Sequence, residues 1–161
     1  MTRRVKRTLI VSIALVVLAT TLHVSLLDGV DGWLLAKLYD DDTQYASGFS
    51  DARFRNVRVG DTEAEVIALL GPPLGESWRW DGGREAVQVS FDRDGRAEYV
   101  VPSGRLRMGI SSSEIQSLMG QPPDLKIFSY TRSPNDGSYR VRVIHFRQGL
   151  VTQKLHEYYM D

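Results

Sequence analysis

Few residues in this chain have the types and spacing that chemistry needs. Three histidines are present, His23, His145 and His156, and cysteine is absent. Without cysteine there is no thiol nucleophile, no cysteine-ligated zinc, no disulfide framework and no lipid-modified amino-terminal cysteine. His23 lies in an apolar run and reads as a tolerated polar residue. His145 and His156 fall on neighbouring predicted strands. Across a turn at Gln148-Gly149, His145 faces Thr152 and His156 faces Val141, so the two are not paired and no third ligand is indicated. Ser111-Ser112-Ser113 offers hydroxyls with neither a strand–turn–helix elbow nor a partnered base, and helix capping explains them. Asp92-Arg93-Asp94 places two carboxylates in a hairpin turn, where Asp serves its own backbone. Gly60 and Gly109 are single glycines, not a phosphate-cradling loop. Asp40-Asp41-Asp42 lacks the glycine and downstream glutamate of a calcium loop and reads as a solvated charge run. No catalytic residue, metal ligand or cofactor is therefore expected, and no small-molecule substrate. Nor does any basic run with interleaved aromatics point to nucleic acid. The remaining candidates are Trp78 and Trp80, at one side-chain parity of a short strand. Two places suit them: a recognition surface, as partner-binding anchors, or the core between sheet and helix.

The elements that position these residues begin with a basic, then apolar, amino terminus. Arg3, Arg4, Lys6 and Arg7 form a basic flank over residues 1–8, and residues 9–27 carry no formal charge. At about 1.5 Å per residue such a stretch roughly matches a hydrocarbon core. The expectation is a transmembrane anchor over 9–27 with the flank in the cytoplasm and the rest exported. A cleaved signal peptide is the competing reading, with Val17-Leu18-Ala19 as its cleavage site. Apolar residues continue well past Ala19, which favours the retained anchor. Residues 28–50 read as a juxtamembrane tether, with Trp33 to Tyr39 forming a short amphipathic stretch able to lie at a membrane surface.

Charge sharpens the division. The chain has 20 basic and 20 acidic residues, yet 28–103 hold 8 basic against 15 acidic while 104–161 hold 8 against 5. A hydrophobic content of 42% with 25% charged residues excludes wholesale disorder.

A repeat then organises the remainder. Val57 to Pro73 recurs forty-nine residues later as Leu106 to Pro122, with six of seventeen positions identical. Each copy writes one short helix with start and stop signals. Thr62 with Glu65, and Ser111 with Glu114, form capping boxes. Val66, Leu69 and Leu70, like Ile115, Leu118 and Met119, give an apolar stripe. Gly71 and Gly120, backed by proline, end the helices. Alternating strands follow each one, turning at Gly82-Gly83 and Asp94-Gly95 in the first copy and at Asn135-Asp136-Gly137 and Gln148-Gly149 in the second. In the last long hairpin Tyr139, Val141 and Val143 share one parity while Ile144 and Phe146 share the other, which requires a bulge near Val143 or burial of both faces. The expected fold is α+β: an N-terminal transmembrane helix, then repeat 1 over 51–103 and repeat 2 over 104–161. Each repeat is a short helix packed on an antiparallel sheet of about three strands.

The helix signatures and the Arg79-Trp80 segment resemble the SmpA/OmlA (BamE-like) family, and the tandem arrangement is similar to the β-lactamase-inhibitor-protein-like architecture, where paired repeats form one concave sheet. That resemblance spans roughly residues 50–160. It implies non-catalytic binding of proteins or lipid headgroups at a bacterial envelope and transfers no catalytic residue. Family members of this kind are lipoproteins held by a cysteine that this chain lacks. Together these readings describe a non-catalytic, single-pass inner-membrane protein with its C-terminal domain in the periplasm, or, if the signal is cleaved, a secreted periplasmic one. Its paired modules would bind an envelope protein partner, in the manner of an assembly accessory factor. The alternative is an inhibitor or regulator of an exported enzyme.

Overall fold

A computed structural model describes residues 3–39, 41–82, 86–92, 94–101 and 106–160, with side chains of the first helix described over 5–21. Asp40, Gly83, Arg93, the side chain of His23 and the expected repeat boundary at 103/104 lie outside the described residues.

The chain opens with α1 (Arg3–Ser25) and α2 (Gly29–Leu38), then a two-residue strand β1 (Gln44–Tyr45) and α3 (Asp51–Asn56). Helix α4 (Glu63–Leu70) leads into β2 (Gly75–Trp80), β3 (Val87–Phe91) and β4 (Ala97–Val101). Helix α5 (Ser112–Met119) leads into β5 (Leu125–Ser129), the short β6 (Thr131–Arg132), β7 (Tyr139–Arg147) and β8 (Leu150–Tyr159).

The expected transmembrane anchor is overturned: among the described residues, no helix is long and apolar enough to cross a membrane. Two features explain the shortfall. Lys6 and Arg7 sit inside α1, and the polar Thr8, Ser12, Thr20 and Thr21 punctuate the part that follows. Beyond the helix, Leu26 and Leu27 turn away, and Leu27 packs against the protein core. The single-pass inner-membrane placement falls with the anchor.

Both repeat helices form as their sequences require. Thr62 and Ser111 each accept from the backbone N–H three residues on, and Glu65 and Glu114 reach back to complete both capping boxes. The hydrogen bonds from the Thr62 backbone and hydroxyl hold the Glu65 carboxyl below its usual range, and those from Ser111 do the same for Glu114. Gly71 ends α4 at a φ of 83°, and a Cβ there would lie 2.8 Å from the Ser47 carbonyl oxygen.

The strands expected of each repeat join in one sheet. A single antiparallel six-stranded sheet runs in the order β4-β3-β2-β5-β7-β8, with β2 and β5 paired at its centre from Gly75↔Ser129 to Arg79↔Leu125. Three strands come from each repeat. The helices, however, are exchanged. Val66 and Leu70 of α4 sit in a core with Phe128, Tyr130, Ile144, Phe146 and Val151, all from repeat 2. Ile115 of α5 sits with Trp78, Trp80, Val89, Phe91, Ala97 and Val100, all from repeat 1. Backbone pairing enforces the exchange. Gly60 N–H donates to Val151 O and Val151 N–H to Asp61 O, at 2.9 and 2.8 Å. In the other half Gly109 N–H donates to Ala97 O and Ala97 N–H to Ile110 O, at 2.7 and 2.9 Å. Each helix-entry loop thus stitches itself to the hairpin of the opposite repeat. An eight-residue helix cannot stand alone in water, so neither repeat holds the surface its own helix needs.

The two parities of β7 are resolved by the sheet's two faces. Arg142, Ile144 and Phe146 point to the helix side and are buried, while Val141, Val143 and His145 are half-buried on the other. The register shift lies at His145/Phe146, leaving Thr152 as the extra residue of β8.

Residues 28–50 are not a tether. Gln44↔Arg132 and Tyr45↔Thr131 pair β1 with β6, Ala46 enters the core, and Gly32 lies so close to β8 that a Cβ there would meet the Tyr158 Cβ at 3.3 Å. Asp41, though exposed, and the half-buried Asp42 are both bonded to the body. Asp41 pairs with Arg140 at 2.9 Å, and Asp42 accepts from Ser133 Oγ and from the Asn135 backbone and side chain.

Candidate interaction surface

The exchange of helices puts both on one face of the sheet. Every apolar residue that β2, β3, β5 and β7 contribute to the two cores has the same parity: Trp78, Trp80, Val89, Phe91, Phe128, Ile144 and Phe146. The opposite parity faces away from both helices. Across the repeat 1 half it reads Ser77, Arg79, Gln88 and Ser90, with Tyr99 and Val101 on the outer strand at 59% and 41% exposed. Ser77 Oγ and Ser90 Oγ share a hydrogen bond of 2.8 Å, so their hydroxyls satisfy one another across the strands. Across the repeat 2 half it is more apolar. One cross-strand row is Ile127–His145–Gln153, the next is Ser129–Val143–Leu155, and Val141 lies beside Glu157. Tyr139 and Tyr159 close the row with ring centroids 5.6 Å apart. Burial, with the Arg147 charge added, lowers the His145 pKa.

Trp78 and Trp80, expected as partner-binding anchors or as core, lie on the covered face, 8% and 2% exposed. Trp78 packs edge-on against Phe91 at 4.7 Å and against Trp80 at 5.9 Å. Trp80 Nε1 donates to the Gln121 carbonyl at 3.1 Å, just past the end of α5. Tyr130 does the matching work in the other half, its hydroxyl donating to the Gly71 carbonyl at 3.2 Å. Burial pushes the Tyr130 phenol well above the usual tyrosine range.

Where the halves meet, Lys126 of β5 staples them together. Its ammonium lies 2.7 Å from Glu63 at the start of α4 and 3.3 Å from Glu76 of β2, above the rings of Trp78 and Phe128. Burial opposes its charge, but the Glu63 hydrogen bond and the Glu76 charge outweigh it and hold the pKa above the ordinary lysine value. Beside this staple a cleft of about 740 Å³ opens between Glu63, Trp78, Pro122, Phe146 and Arg147.

The other chemistry-bearing residues are spread apart. His145 lies on the open face, whereas His156 pairs with Arg142 on the helix side. The offset from the expected Thr152 and Val141 follows from the extra residue of β8. Ser111 Oγ is held by Glu114 at 2.6 Å. Asp92 Oδ1 accepts from the Asp94 and Arg96 backbones, as a turn residue does. Among the described residues, no group of three His, Asp or Glu could hold a metal ion.

Sequence reasoning missed the helix exchange, the Lys126 staple and a buried arginine. Arg142 is fully buried and bonds Asp28 and Asp51. Its signal was present: Arg140 and Arg142 share the parity of Ile144 and Phe146, so arginines bound for the covered face needed carboxylates from elsewhere.

No protein-family model matches the chain, and no curated protein or solved structure matches it.

Proposed function

We propose that this chain is a non-catalytic binding protein that presents the open face of its six-stranded sheet to a protein partner. One observation carries the reading: both helices cover one face, leaving Ile127, Val141, Val143 and Leu155 half-buried on a continuous surface that no helix packs against among the described residues. A contiguous apolar patch with a polar surround is the usual anatomy of a recognition surface. The resemblance of the helix signatures to SmpA/OmlA proteins supports binding over catalysis. Sequestration of an enzyme is the second reading, favoured by the continuity of the face across both repeats.

A photo-crosslinking residue at position 143 or 155 should capture one and the same protein, while the same residue at Ser113 or Ser117, on the outer side of α5, should not. Equal capture from both faces would remove the open face as the contact surface. Identity of the captured protein separates the readings: an enzyme inhibited by the purified chain supports sequestration.

A further inference from the structure

The described residues of 28–45 hold to the body through two buried arginine–aspartate contacts and short backbone pairings. Among the described residues of this segment, those fully buried are Gly29 and Gly32. No apolar side chain among its described residues is fully buried, and its most buried fixings are charged and backbone ones. Asp28 stands at the N-cap of α2, yet its carboxylate makes no cap hydrogen bond. It turns instead to two arginines. Arg142 Nη1 and Nη2 grip its two oxygens at 2.6 and 2.9 Å, and Arg140 Nη1 adds a third bond at 2.9 Å. The Asp28 side chain is 2% exposed and that of Arg142 fully buried. Farther along, Asp41 pairs with Arg140, Asp42 caps the loop at Ser133–Asn135, and Asp42 N–H donates to Ser138 O. Apolar fixings within it are partial, with Leu35 and Ala36 half-buried and Tyr45 stacked on Phe49 at 5.6 Å; at the root Ala46 enters the core and Phe49 stacks on Tyr130 at 5.6 Å. Leu27, just ahead of the segment, is partly buried.

Segments with few buried apolar contacts open locally at a fraction of the global stability. A desolvated ion pair adds little net hold over its hydrated state, because water recovers both charges when it opens. We propose that residues 28–45 form a strap that opens as a unit on a root at Ala46, uncovering Arg140 and Arg142 as a paired, carboxylate-binding site. Both repeats and the open sheet face keep their structure when it does. In the closed state the strap's own Asp28 and Asp41 fill the outer part of that site, Asp28 in the forked geometry that arginine offers to carboxylates, while Asp51 of α3 keeps its 2.8 Å bond to Arg142 Nε.

Amide hydrogen exchange on the full chain tests this. In Asp28→Asn the Tyr39 and Asp42 amides should exchange roughly ten- to a hundredfold faster than in the parent chain, the scale of losing charge-assisted hydrogen bonds. The Gly60, Val66 and Ile115 amides, bonded to Val151, Thr62 and Ser111, should not change. Uniform acceleration, or none, overturns the strap. The parent chain gives a second readout that does not depend on the variant folding. At low denaturant the Tyr39 and Asp42 amides should share one opening, with a shallower denaturant dependence than the amides of α4 and α5. Exchange of strap amides only through global unfolding would also overturn it.

Discussion

The two halves of the sheet start from the same seventeen-residue signature and end differently. Repeat 1 closes with a hairpin of two five-residue strands, β3 and β4; repeat 2 closes with β7 and β8, of nine and ten residues. Over the shared length the halves correspond closely: Trp80 and Tyr130 each donate a hydrogen bond to a carbonyl at the end of the other repeat's helix, and each entry loop stitches to the opposite hairpin. Beyond that length repeat 2 stands alone. Its overhang carries Arg140 and Arg142, and those guanidiniums recruit the amino-terminal segment. The common part builds one cooperative body, and the unshared part adds an attachment to it.

If that division is right, changes in the common part should destabilise both halves together. Trp80→Ala removes the largest fully buried side chain and should cost about 3–5 kcal/mol. Because α5 leans on Trp80 while α4 leans on repeat 2, chemical denaturation should still show one transition, by tryptophan fluorescence and far-UV circular dichroism alike. Two separated transitions would break the idea of a single body. Arg142→Ala acts on the unshared part. Leaving the buried Asp28 with Arg140 alone should cost up to about 3 kcal/mol, and adding Asp28→Asn should return part of it. A smaller pair of changes tests equivalence directly. Thr62→Ala and Ser111→Ala each remove a capping hydroxyl and should each cost about 1 kcal/mol. Unequal denaturation midpoints for the two variants would show that the helices, alike in sequence, bear unequal loads.

How much of this was legible in the sequence follows from where the information resides. Capping boxes and terminal glycines are local, and Thr62–Glu65 and Ser111–Glu114 form as written. The exchange of helices is not local: nothing within Val57–Pro73 states that Val66 will meet Ile144, because the stripe that makes a helix amphipathic does not name its acceptor. Trp78 and Trp80 illustrate the same limit. Their shared parity was readable, but which face the helices would cover depended on strands more than forty residues away. The apolar amino terminus misled for a related reason. A charge-free run suggests a span, while the chain turns at Leu26–Leu27 and the Asp28 that follows bonds Arg140 and Arg142, over a hundred residues later.

The weakest expected effect sharpens the comparison on the open face itself. His145 pairs with Gln153 next to the register shift, and Ser90 holds the corresponding place in repeat 1, one residue before Phe91 as His145 is one before Phe146. Burial, then the Arg147 charge, lowers the His145 pKa below its ordinary value of 6.5. Below 6.5 the unfolded chain therefore binds a proton that the folded chain binds less readily, so acidification favours unfolding. The stability associated with a neutral His145 is present above 6.5 and is lost as pH falls through the lower, folded pKa. Replacing the residue by its counterpart, His145→Ser, should flatten that part of the profile. Melting temperatures between pH 7 and pH 5 should fall by less in the variant than in the parent chain. Because His145 is only half-buried, the difference should be small, and an identical fall in both would place the acid sensitivity of the fold elsewhere.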